Sequence, residues 1–393
     1  MIYTLLDKSE TRRVEPTEVN GDLKCYLQRL NHYRIKVSSF EEHCFEREIC
    51  DYRHNYQPRT SKRVKKIDSF DLIKFNNAIC FGDGAIKTAN KKIFLSHMLN
   101  ESIFYPLDKI RFNGFKGLIK NRLGLELLGD GYVKLNDNIN NYSYTNETVL
   151  LMTRLKDNSY SHFVWDTIPL LAYRDFLKKE LGEDVKILIP YESISSFKLE
   201  FLMRLGVKKS DLIVKPLSIS MLFKNIYVGS RTSTNNVSIS DFSLPVLTSL
   251  RLEKRKTNKK NLYYFDRNDE RKGIRTIINE SKIIDICKKH GLEIKTPGKM
   301  TLSEKQEIFS QADLIVGQYG GGMQNHFLCN SGTHILLLQS ENFFREIHYN
   351  TATRLNHYVT SIIGPALSTG NNSDFSIDDA VFERELVKIL GKL

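Results

Sequence analysis

The chain has 393 residues, of which 41% are hydrophobic and 10% aromatic, enough for two packed cores and too apolar for a disordered protein. Lys and Arg number 58 against 46 Asp and Glu, a formal charge of +12 that points to a phosphate-bearing ligand, an anionic membrane surface or nucleic acid without choosing among them. The six cysteines (Cys25, Cys44, Cys50, Cys80, Cys287, Cys329) form no C-x-x-C pair and fit no zinc spacing; scattered at this low density, they fit a reducing cytosol better than a disulfide framework.

The opening "MIYTLLDKSETRRVEP" lacks a basic stretch followed by an apolar core, so no secretory leader is read there. No run of about 18 apolar residues exists, so no membrane span is read either. Residues 1–70 form a polar, basic segment ending in "RTSKRVKKIDSF", where Arg59, Lys62, Arg63, Lys65 and Lys66 cluster. That cluster reads as a solvated face, or as contact with an anionic membrane or acidic acceptor.

Residues 71–240 read as a first α/β domain. "NNAICFGDGAIKTANKKIFLS" alternates short apolar runs with Gly82, Gly84 and Asn90, which predicts hairpins. Strand "TVLL", helix "PLLAYRDFLKKELG" closed by Gly182, strand "VKILIP", helix "SSFKLEFLMRLGV" and strand "KNIYVGS" follow. Strands alternating with helices of this length predict parallel βαβ units. "RTSTNNVSIS" is loop-like, and a helix containing "LPVLTSLRLEKRKTNKK" leads into a second domain, 241–375.

There "NLYYFDR" is a strand, "NESKIIDICKKHG" a helix ending at Gly291, and "LEIKTP" a strand. Ser303 and Gln306 open "SEKQEIFSQA" in a capping-box pattern. "DLIVG" is a strand, three glycines turn into a helix, and "HILLLQ" is a strand. Residues 376–393 end in an amphipathic helix.

Three constellations carry chemistry. In "DLIVGQYGGGMQN", Gly320, Gly321 and Gly322 follow a strand and precede a helix. They make either an anion cradle of backbone N–H groups or a tight turn packed on a neighbouring strand. The G-x-x-G-G-G spacing is neither the dinucleotide fingerprint nor a Walker loop. In "YYFDRNDERKGIRTIINES", Arg267 ends a strand, with Arg271, Arg275, Asn279 and Glu280 beyond it. Guanidinium groups at a strand end suit a diphosphate, whereas Arg271 reads as part of a surface ion network. In "SYSHFVWDTIPLL", His162 and Asp166 lie four apart, so on a helix they share a face. The pair could activate a hydroxyl by general base catalysis, or cap a helix with a buried histidine.

Taken in order, these stretches resemble glycosyltransferase family 61. The resembling residues are His162, Asp166, Ile168 and Pro169; then Arg267, Arg275, Asn279 and Glu280; then Gly317, Gly320, Gly321, Gly322, Met323, Asn325 and Gly332. The resemblance covers roughly residues 75–345. Tyr319, Gly321 and Leu337 depart from the pattern, standing where His, Ala and Glu are usual.

The resemblance implies a GT-B architecture, two Rossmann-like domains facing a central cleft, with the last helix crossing back to the first. It implies inverting transfer from a nucleotide-sugar donor, a UDP-sugar before others, to a glycan or glycolipid acceptor. Arg267, Arg275, Asn279, Glu280, Tyr319, Gly320–Gly322, Met323 and Asn325 then form the donor site. Asp166 is the base, with His162 as the alternative or as its orienting partner.

No D-x-D pair is present: "NDN" at 136–138 holds one carboxylate, so no metal and no other cofactor are expected. Capsule or lipopolysaccharide assembly in the cytoplasm, at the inner face of the membrane, fits the charge and the absence of a leader. The competing reading is a non-enzymatic basic module for nucleic acid or acidic polysaccharide. Its basic runs lack interleaved stacking aromatics, so nucleic acid is not expected as a partner. A hydrolase of the G-x-S-x-G type is excluded by the absence of that motif.

Overall fold

The structure is a computed structural model. It describes residues 70–89, 141–154, 159–191, 194–230, 238–267, 274–343 and 354–393 almost throughout. It also describes the short stretches 232–234 and 351–352, and shorter strands at 2–5, 13–14, 32–38, 43–47, 50–52, 61–65, 92–94, 125–129 and 132–135. The side chains of the basic cluster Arg59–Lys66, and the Arg271 and "NDN" positions, lie outside the described residues. None of the described helices is long and apolar enough to cross a membrane.

The chain is mixed α/β and divides into two compact units. The first comprises Met1–Glu41, Ile67–Asn235 and Ser240–Val246; the second comprises Glu42–Lys66, Asn236–Ile239 and Leu247–Leu393. Residues 1–70 do not form a segment apart. Strand His32–Ser38 pairs antiparallel with Phe70–Phe81 in the first unit, and Cys50–Tyr52 pairs parallel with Tyr358–Gly364 in the second.

The first unit is built on a mixed sheet, not a wholly parallel one. Strands Ser220–Gly229, Tyr142–Leu151, Lys186–Ile189 and Leu212–Val214 run parallel side by side. Helices Leu171–Leu181 and Ser196–Arg204 make the crossovers, the first closed by Gly182 at φ 63°. Phe70–Phe81 joins antiparallel to Ser220–Gly229 and continues through Ala85–Lys87 and Lys92–Phe94, the predicted hairpins. Phe75, Phe94, Leu151, Leu188, Phe223 and Ile226 lie in its core.

The second unit carries an all-parallel sheet. Its strand order is Glu293–Lys295, Leu262–Phe265, Leu314–Gln318, His334–Ser340, Tyr358–Gly364 and Cys50–Tyr52. Apart from the last strand this is the doubly wound order 2-1-3-4-5. The strands read as near-continuous apolar runs because both faces are covered: Leu336, Leu337 and Leu338 are all fully buried.

Two expectations are corrected here. The helix expected over "LPVLTSLRLEKRKTNKK" spans only Leu244–Thr248. Beyond it the chain has no regular secondary structure and is laced to the end of helix Leu302–Gln311: Leu252 N–H donates to Ser310 Oγ and Arg255 N–H to Gln311 Oε1. The capping box uses Thr301 and Glu304 rather than Ser303 and Gln306, so that helix starts at Leu302. The terminal helix Asp379–Leu390 packs within the second unit. Val381, Phe382, Leu386 and Ile389 lie in the second unit's core with Ile283 and Cys287 of helix Glu280–Lys289.

Candidate active site

In a doubly wound sheet, a ligand crevice opens outside the carboxyl ends of the strands where the order reverses. In the second unit that point lies between Leu262–Phe265 and Leu314–Gln318. The first strand runs into Asp266 and Arg267; the second runs into Tyr319 and the three glycines. Arg267 and the glycine turn are therefore brought together by topology. A Cβ placed on Gly320 would lie 3.6 Å from both Cζ and Nε of Arg267.

The glycines are not there for a left-handed turn. Positive φ among the described glycines occurs at seven positions, and none of Gly317, Gly320, Gly321 or Gly322 is among them. Space is the reason at two of them. A Cβ at Gly317 would sit 2.8 Å from the Phe265 carbonyl oxygen and 2.9 Å from Met323 Sδ, and one at Gly322 would sit 3.1 Å from Pro297 Cγ. Gly320 is different, because the atoms nearest its absent Cβ belong to the Arg267 guanidinium and lie at ordinary van der Waals distance.

The carbonyls of the turn are held on the protein side. Gly320 O accepts from Gln324 N–H (3.2 Å), and Gly322 O from Asn325 N–H (3.3 Å). The buried Asn325 Nδ2 donates to Gly321 O (3.3 Å) and Gly322 O (2.9 Å). With those carbonyls engaged, the N–H groups of Gly320, Gly321 and Gly322 donate no hydrogen bond among the described residues. Such a run of N–H groups is an anion-binding concavity.

Arg275 enters the same region by a strained backbone, at φ 56° in a residue that is not glycine. Its N–H donates to Asn372 O (3.1 Å), and its carbonyl accepts from Gln318 Nε2. Its guanidinium lies 4.0 Å from the centroid of the Phe343 ring. Tyr319 is buried and packs edge-on to Phe343 at 5.5 Å.

Asn279 and Glu280 are held by other contacts, although Glu280 lies within electrostatic reach of Asp266 and Arg267. Asn279 Nδ2 donates to Ile377 O and Asp379 Oδ1, and its Oδ1 accepts from Ile377 N–H, so the side chain ties the final helix to the sheet. Glu280 accepts from the hydroxyl of the buried Tyr264 at 2.9 Å. Burial pushes the Glu280 carboxyl above its usual pKa. Met323 is buried beneath Gly317, so its contact with the turn is packing.

In the first unit, the strand Tyr142–Leu151 leads through Arg154 toward Ser159, whose Oγ caps the turn Tyr160–His162. The chain then widens into a π-helical turn, Phe163–Thr167, closed by Ile168 N–H donating to Phe163 O. Pro169 supplies no N–H to continue an ordinary helical ladder there. Such turns are rare and concentrate at functional sites.

His162 Nδ1 lies 2.7 Å from Asp166 Oδ2, so the i,i+4 pairing expected from the sequence is made across this turn. The Asp166 side chain is 9% exposed and that of His162 is 36% exposed. Phe163 packs on Phe197 and Phe201, which fixes the turn against helix Ser196–Arg204. Lys198 Nζ lies over the Tyr191 ring at 3.7 Å.

Gln318 and Phe343 carry no motif and were not legible as site residues; Gln318 is the last residue of its strand and Phe343 lies three residues past another, which was the only available signal. Among the described residues, no group of three or more His, Cys, Asp or Glu is placed to hold a metal ion.

The chain is thus an α/β protein with a glycine turn beside Arg267 at the switch point of the second unit's parallel sheet and a His162–Asp166 pair in the first unit. Residues 160–336 match the family model described as Glycosyltransferase 61. The match begins two residues before His162 and includes Arg267, Arg275 and the glycine turn. No curated protein matches the chain.

Proposed function

We propose that this glycosyltransferase moves a sugar, with inversion, from a nucleotide-diphosphate donor to a hydroxyl of a glycan or glycolipid acceptor. One observation carries the reading: Arg267 converges on Gly320 beside glycine N–H groups that donate to no described residue. A planar guanidinium and a nest of N–H groups together match the oxygens of a diphosphate. A UDP-sugar is the proposed donor.

In the proposed step an acceptor hydroxyl oxygen bonds to the anomeric carbon while the bond from that carbon to the β-phosphate oxygen breaks. The electron pair leaves with the nucleoside diphosphate. Arg267, Arg275 and the glycine N–H groups stabilise the charge that develops there, in the role a divalent cation would otherwise take.

The acceptor proton goes to the His162–Asp166 pair. The geometry favours His162 as the group that receives it, with Asp166 as its orienting partner, the reverse of the assignment from sequence. Asp166 is the more buried of the two, and an ionised Asp166 holds the proton on Nδ1, leaving the Nε2 lone pair of His162 for the hydroxyl. The proposed architecture for this mechanism is GT-B, with the His162–Asp166 pair in one domain and the cradle in the other. The charge of +12 suits work at the cytoplasmic face of an anionic membrane, as in capsule or lipopolysaccharide assembly.

The test is a thermal-shift screen against nucleotides and nucleotide sugars. A ligand at 100 times its Kd should stabilise the native state by about 2.7 kcal/mol. Arg267→Ala should abolish the shift, whereas His162→Ala should keep it and lose about 10²–10⁴-fold in turnover, partly restored by added imidazole. No shift from any member of the panel overturns the reading.

A further inference from the structure

The Arg275 side chain is held by more than its place in the sequence. The backbone just after it is pinned: Thr276 N–H donates to Asp374 Oδ1 (2.6 Å) and Ile278 N–H to Phe375 O (2.9 Å). Beyond that anchor, its guanidinium lies flat enough on Phe343 to put Cζ 4.0 Å from the ring centroid. Phe343 in turn meets Tyr319 at 67°, edge to face. Tyr319 is fixed by its N–H donating to Leu338 O (2.9 Å) and is the residue immediately before Gly320. The three side chains make a continuous stack from the start of the glycine turn to the second arginine.

We propose that Phe343 is a positioning residue for the donor diphosphate: its ring, braced by Tyr319, holds the Arg275 guanidinium in place as a pre-set cation of the glycine cradle. This rests on the diphosphate reading given above. The physical reason is entropic as well as electrostatic. An arginine on an exposed chain must be ordered when its ligand arrives, at a cost of about 0.5–1.5 kcal/mol for such a side chain. Stacked on an aromatic face it is already ordered, and the ring quadrupole favours the cation. The stack also gives Tyr319, which stands at the motif's usual histidine position, a definite role: it supports the platform from the edge.

The experiment measures nucleoside diphosphate affinity by calorimetry, using whichever of UDP, GDP, ADP and dTDP gives the largest thermal shift with the unmodified protein. Phe343→Leu should weaken binding about 2- to 30-fold, the range of a cation–π contact from exposed to desolvated. Phe343→Tyr should bind as the unmodified protein does. In the Arg275→Ala background, Phe343→Leu should have no further effect, because the ring acts only through that arginine. A merely structural role would lower affinity in both backgrounds alike.

If Phe343→Leu does not fold, Tyr319→Leu removes the edge support and takes its place in the same cycle. Equal binding by Phe343→Leu and the unmodified protein, or additive losses in the double variant, overturns the proposal while leaving the diphosphate site intact. If none of the four diphosphates binds the unmodified protein, or if Arg267→Ala binds unchanged, the diphosphate reading itself falls and this inference falls with it.

Discussion

Gly317 and Gly320 stand three residues apart in one motif, yet alanine at each should fail in a different way. At Gly317 the new methyl would meet a backbone oxygen, Phe265 O at 2.8 Å, and the Met323 sulfur at 2.9 Å. Met323 can shift, but the carbonyl belongs to the adjacent sheet strand and cannot move without opening the pairing of Phe265 with Gly317. Overpacking of this kind costs about 1–3 kcal/mol, which lowers Tm by about 2–12 °C for a domain of this size.

At Gly320 the nearest atoms lie at 3.6 Å, an ordinary van der Waals contact, and φ is not in the left-handed region, so stability should stay within about 0.5 kcal/mol. The methyl would instead cover the Arg267 guanidinium and crowd the N–H groups beside it. Losing one charge-assisted hydrogen bond to a phosphate is worth about 1.5–3 kcal/mol, or about 10- to 150-fold in nucleoside diphosphate affinity. Differential scanning fluorimetry and calorimetry on both variants read the two effects separately. A Gly320→Ala protein that binds the diphosphate with unmodified affinity would refute the cradle, and a Gly317→Ala protein with unchanged Tm would refute the packing argument.

Other outcomes follow from the same coordinates. Burial raises the Glu280 pKa above its usual 4.5, so the folded state binds its proton more tightly than the unfolded state. The cost of ionising it is therefore absent at low pH and grows as pH rises from the unfolded value through the folded one. Glu280→Gln, which still accepts from Tyr264, should raise the urea midpoint at about pH 7.5 and change it little below about pH 4; a gain confined to low pH would reverse the assignment.

Burial pushes the Cys80 thiol to about 11 and those of Cys287 and Cys329 to about 12. Peptide mass spectrometry after brief maleimide treatment at about pH 7 should find these three unlabelled in the native protein and labelled after denaturation. Gly364→Ala would place a Cβ 1.8 Å from the Ser376 carbonyl oxygen, so it should lower Tm more than Gly317→Ala does; equal or smaller loss counts against the packing of that strand end.

Much of the fold is legible in the chain because periodicity and punctuation are local properties. "DLIVG", "HILLLQ" and "NLYYFDR" are apolar runs of strand length, and Gly182 and Gly291 close their helices in the left-handed conformation that their lack of a Cβ permits. His162 and Asp166 were also legible as a pair, since four residues is a helical spacing and the π-helical turn still brings Nδ1 to Oδ2.

Only the tertiary structure decided which residues of the motifs face the cradle. Arg267 and Gly320 are 53 positions apart and meet because their strands are neighbours at the point where the strand order reverses. Asn279 is anchored to the final helix and Met323 lies under Gly317, although both sit within matching motifs. Residues 50–52, from a segment that reads as polar and separate, supply the edge strand of the second sheet. A sequence records which side chains and turns are available along the chain. Strand order, and therefore which distant loop ends converge, depends on long-range pairing that no local pattern encodes.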